Sequence, residues 1–94
     1  MMTSREYQEL VARCVSIVVF YRTSDQTSTT SARLSSEIHG VASAIDRMSP
    51  PGEDPLRIER PVEGELLARY GLKSGKKAFA DFQKAFRSWK PSPI

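Results

Sequence analysis

The chain has 94 residues, 39% of them hydrophobic and 27% charged. That length suits one domain able to bury roughly 64% of its unfolded surface, and the apolar share, below the usual ~45–50%, predicts a thin core that self-association would complete. The net charge of +3 is too small to imply a polyanionic partner by itself, but it is unevenly placed. Residues 1–55 carry five arginines and no lysine against seven acids, net −2, whereas residues 56–94 carry nine cations against four acids, net +5.

Cys14 is the only cysteine, which excludes an internal disulfide and gives no sign of an oxidising compartment. Its expected role is that of a small buried apolar residue. The longest uninterrupted apolar run, five residues at 17–21, is far short of the ~18 needed to span a bilayer. Glu6, Glu9 and Arg13 break the pattern of a signal peptide, so a cytoplasmic protein is the expectation.

Over residues 3–22, Tyr7, Leu10, Cys14, Ile17 and Tyr21 recur at spacings of 3, 4, 3 and 4, which makes a helical seam. Ser4 is placed to cap it, with Glu6 and Glu9 near the positive end of its dipole. Residues 15–21 are β-branched and aromatic enough for a strand, but the longer periodicity favours a helix. Residues 23–31, TSDQTSTTS, read as a polar loop and the start of a second helix. From about residue 28 to 48, Leu34, Ile38, Val41, Ile45 and Met48 repeat at 4, 3, 4 and 3. Gly40 within that helix costs about 1 kcal/mol relative to Ala unless it permits close approach of a neighbour. Two helices of about 30 Å joined by a short loop predict an antiparallel hairpin, with Leu34, Ile38, Val41 and Ile45 as a candidate dimer seam.

Residues 49–61, SPPGEDPLRIERP, hold four of the six prolines and read as a linker, with Pro61 suited to the first turn of a third helix. That helix is expected over 62–70, with Leu66, Leu67 and Tyr70 inward, stopping at Gly71 in a left-handed cap. Ser74 would cap a fourth helix from residue 75 to about 89, and residues 91–94 read as a tail. The predicted fold is therefore all-α: a hairpin, a Pro-rich linker and two shorter helices in one four-helix domain, dimeric through the hairpin.

No catalytic or metal site is legible. The stretch at 71–77, GLKSGKK, has the glycines and helix start of a phosphate loop. However, only three residues separate the glycines, Lys77 stands where a Ser or Thr is required, and no apolar strand precedes it. His39 has no cysteine or second histidine at metal-ligand spacing. Asp46 lies too far along the axis to pair with it, and Glu63 and Glu65 point to different sides of their helix. The expectation is a protein that is no enzyme and needs no cofactor or metal.

The last helix is more informative, because Phe79, Phe82, Phe86 and Trp89 repeat at 3, 4 and 3. Such a stripe docks its helix on the hairpin, each buried Phe contributing roughly 1.5–3 kcal/mol, or forms a partner-binding face that inserts into a groove elsewhere. The charged side carries Lys76, Lys77, Lys84, Arg87 and Lys90, with Asp81 the only acid; together with Lys73 these cations are the candidate phosphate contacts.

Two functions are consistent with this pattern, the first the leading expectation and the second its alternative. One is a small non-enzymatic regulator or adaptor that binds another protein, as a homodimer through its heptad-like seams. The other is a DNA- or RNA-binding protein whose basic C-terminal helix pair contacts phosphates. A membrane surface is a less favoured partner, although the basic aromatic helix has the amphipathicity for it.

Overall fold

The computed structural model describes residues 4–48 and 55–89. Among them are three α-helices and no strand: α1 (Ser4–Thr23), α2 (Ser28–Met48) and α3 (Glu59–Arg87), the last preceded by a 3-10 turn at Pro55–Ile58. Residues 15–21 are helical, as the longer periodicity predicts. Most of the expected linker, residues 49–54, lies outside the described residues. The part within them is regular, and α3 opens at Glu59, three residues before the expected start. Pro61 is accommodated there because the first turn of a helix asks for no N–H from it.

Hydroxyl side chains close the short loop between α1 and α2. The Thr27 N–H donates to Thr30 Oγ1 at 2.8 Å, and the Thr30 N–H donates back to Thr27 Oγ1 at 3.3 Å, a reciprocal cap that satisfies donors left over at a helix start. At the end of α1, Thr23 Oγ1 and Ser24 Oγ both donate to the Phe20 carbonyl.

Each helix packs on the other two, and the buried apolar residues form one cluster. Cys14, Val18, Ile38, Val62, Leu66 and Phe82 are fully shielded from solvent. Burial pushes the Cys14 thiol up to about 12, against a smaller lowering by the nearby charge of Arg13.

The expected fourth helix is not a separate element. Leu72, Lys73 and Ser74, read from the sequence as a turn, are helical, and Gly71 alone departs from helical geometry, at φ 84° and ψ 175°. Nor is this the expected left-handed cap: φ has the anticipated sign, but ψ is extended, a combination open essentially to glycine alone. A straight α3 would hold Glu59 and Arg87 about 42 Å apart, yet their side chains meet at 2.9 Å. The helix is therefore bent back on itself at Gly71 into a first arm, residues 59–70, and a second arm, residues 72–87. Gly75 lets the arms touch, since a Cβ placed on it would lie 2.7 Å from Leu67 Cα and 2.9 Å from the Leu66 carbonyl oxygen.

The same bend also covers the seam that the sequence nominates for a dimer. Leu34, Ile38, Val41 and Ile45 are all buried within the single chain. The doubled-back α3 supplies the third surface that an apolar hairpin lacks, so these residues do not need a second copy to leave water.

Candidate functional site

The second arm of α3 gathers most of the residues that the sequence nominates for binding, and its two sides have separate fates. Phe82 and Phe86 are buried, and Phe79 and Trp89 are partly buried against the same core. The rings of Phe79, Phe82 and Phe86 are stacked in succession, with centroids 6.1 Å and 5.3 Å apart. The aromatic stripe is thus spent largely on docking the arm to the hairpin, which leaves little of it for a partner's groove.

The cationic side is exposed. Lys73, Lys76, Lys77 and Lys84 all face solvent, while Lys90 lies outside the described residues. At about 100° per residue, these four lysines and the exposed Ala80 fall within an arc of about 100° that holds no acid. Asp81 lies just outside the arc, and its carboxylate pairs with Arg22 at 3.6 Å. Arg87 reaches the same arc, but its guanidinium is engaged by Glu59, so it serves the fold before any phosphate.

Three polar links hold the arm in place. Arg22, at the end of α1, pairs with Asp81 and also lies 5.2 Å from the centre of the Tyr70 ring, gripping α3 on both sides of its bend. The His39 Nε2–H of α2 donates to the Ala85 carbonyl at 3.0 Å, with Ser88 Oγ 2.8 Å from the same nitrogen. His39 is therefore part of a helix-to-helix tie, and among the described residues no group of three His, Cys, Asp or Glu side chains could hold a metal ion.

The third link closes the open ends of the two arms. Arg87 Nε and Nη2 donate to the two oxygens of Glu59, both at 2.9 Å, and Gln83 Nε2 donates to Glu59 Oε1 at 3.2 Å. Burial alone would raise the pKa of Glu59, but the hydrogen bonds from Arg87 and Gln83 and the Arg87 charge outweigh it, and the carboxyl sits below its ordinary value. The folded-state pKa then lies below the ordinary value of 4.5 that the unfolded chain keeps. The stabilisation is full above that value and is lost as the pH falls through the folded-state pKa. Melting temperature is expected to drop through this acid range, and Glu59→Gln should remove part of that drop. At neutral pH, Arg87→Ala should cost roughly 2–3 kcal/mol and Glu59→Ala only about 1–2 kcal/mol. The first strands a buried carboxylate; the second leaves a guanidinium that is already 55% exposed.

A groove of about 770 Å³ opens between α1 and the first arm, lined in part by Tyr7, Val11, Ala12, Val15, Pro61 and Arg69. The sequence reading missed it because its walls come from segments far apart in the chain. It also missed the Arg22 and Glu59 contacts, for which the sequence offers only isolated charges. The close approach at Gly75 had one available signal, a Gly and an Ala three residues apart on one helical side. Among the described residues, no helix is long and apolar enough to cross a membrane. No family model, curated protein or solved structure matches this chain.

Proposed function

We propose that this chain is a non-enzymatic nucleic-acid-binding protein that applies the basic face of the second arm of α3 to phosphates. The observation that carries this reading is the sorting of charge: Lys73, Lys76, Lys77 and Lys84 stand exposed together, with no acid among them, on a helix whose other side is anchored in the core. Of the three surfaces nominated by the sequence, the seam is inside the molecule and the stripe largely so. The basic face keeps its freedom to bind.

Four phosphate contacts correspond to a salt slope of about −3.6 on duplex DNA, so affinity should fall roughly 150-fold between about 50 mM and 200 mM salt. Mobility shifts with random-sequence duplex and single strands over that range test the reading. The combined variant Lys73→Gln, Lys76→Gln, Lys77→Gln, Lys84→Gln should fold normally, because all four side chains are exposed, and should lose both the shift and its salt dependence. Undetectable association of the unmodified protein at about 50 mM salt sinks the reading, since phosphate-driven binding is strongest there.

A small regulator or adaptor acting through protein–protein contact is the second reading. The groove between α1 and the first arm favours it, because its two helical walls, with Tyr7, Ala12 and Pro61 at the surface, leave room for a partner helix. Ala12→Arg, at an exposed position in that groove, would block such a seat and leave nucleic-acid binding unchanged, which separates the two readings.

A further inference from the structure

Resting on the nucleic-acid reading, the distribution of side chains on the second arm also points to the form of nucleic acid. At about 100° per residue, Lys76 falls along one edge of the basic arc and Lys77 and Lys84 along the other, with Ala80 and Lys73 between them. Cations on two edges fit a helix lying between two phosphate backbones, whereas a helix tracking one strand needs only a single row. Ala80, exposed near the middle of the arc, adds no bulk, so the helix backbone can approach what lies beneath it.

Two alternatives fit less well. Proteins that hold single strands offer exposed aromatic rings on which bases stack, but the aromatics of this arm are turned to the core, with Phe82 and Phe86 buried. Double-stranded RNA has a deep, narrow major groove that side chains cannot read. The major groove of B-form DNA is about 12 Å wide, close to the ~10–12 Å diameter of a helix with its side chains. The arm is also held rigidly enough to be presented as a unit, through Gly75 against Leu67, Arg22 on Asp81 and Arg87 on Glu59. We propose that the ligand is double-stranded B-form DNA, with the second arm of α3 lying lengthwise in the major groove, Ala80 and Lys73 toward the groove floor, Lys76 on one flanking strand and Lys77 and Lys84 on the other.

The test uses the full chain with a fluorescent DNA duplex of about 20 base pairs, the RNA duplex of the same sequence and the single DNA strand, read by anisotropy at about 50 mM salt. Poly-glutamate serves as a competitor of equal charge. The expected result is tightest binding to duplex DNA, with poor competition by poly-glutamate. Ala80→Trp adds bulk to the face without changing its charge, and circular dichroism checks that it folds. It should weaken duplex DNA binding by at least about tenfold without weakening the single-strand binding, to which the new ring offers a base-stacking surface. Equal affinity for all three nucleic acids, or an Ala80→Trp variant that binds duplex DNA like the unmodified protein, overturns the groove assignment and leaves the broader nucleic-acid reading standing. Displacement by poly-glutamate as readily as by DNA overturns it in favour of an acidic protein partner. No binding to any nucleic acid overturns both readings.

Discussion

Phe82→Ala is expected to cost about 3–5 kcal/mol, against a total stability of about 5–14 kcal/mol for a domain of this length. Phe82 is fully buried in the core cluster and stacks on Phe79 and Phe86, so truncation leaves a void within that cluster. A core already thin in apolar residues has little to fill it with. Thermal melts by circular dichroism should show a fall of more than ten degrees, at roughly 4–8 °C per kcal/mol for a domain of this size. A second readout is Cys14, which is fully buried with its thiol pushed up to about 12. It should resist a thiol reagent in the unmodified protein and become reactive in the variant. If the stripe were a partner-binding face, the melt and the thiol would both be unchanged and only binding would suffer. That outcome would contradict the core placement of Phe82.

The parts of this fold that were legible in the sequence are those governed by local periodicity. The 4-3-4-3 spacing of Leu34, Ile38, Val41, Ile45 and Met48 gives α2 its extent, and the 3-4-3-4 seam of α1 outweighs the strand-like stretch at residues 15–21. What covers those seams was not legible, because periodicity reports that a face is apolar and is silent on its neighbour. The same Leu34 and Ile45 that would suit a dimer are instead covered within one chain. Gly71 was readable as a break but not in its direction. A stop followed by a three-residue turn and a one-residue hinge leave the same glycine in the sequence, and the helical geometry of residues 72–74 is what distinguishes them. For the candidate site, the identity of the exposed lysines was legible from composition and spacing. The loss of Arg87 to an internal carboxylate was not, since that pair spans 28 residues.

Gly75→Ala is expected to destabilise by about 1–3 kcal/mol, although an alanine in a helix ordinarily stabilises it. The added Cβ would meet Leu67 Cα at 2.7 Å and the Leu66 carbonyl oxygen at 2.9 Å. Both are backbone atoms, so relief requires the two arms of α3 to separate. Separation would loosen the Glu59–Arg87 clamp and shift Lys73, Lys76 and Lys77 relative to the hairpin. Gly40 and Gly64 are the internal controls: each lies inside a helix, and a Cβ on either would meet nothing within 4 Å. Alanine at those positions should stabilise by about 0.5–1 kcal/mol through helix propensity. Melting temperatures of the three single variants, measured side by side, should therefore move in opposite directions, down for Gly75 and up for Gly40 and Gly64. A Gly75→Ala protein that melts as high as the Gly40→Ala protein would mean that the arms do not touch. The second arm would then lack the rigid seating that its presentation of lysines to a nucleic acid requires.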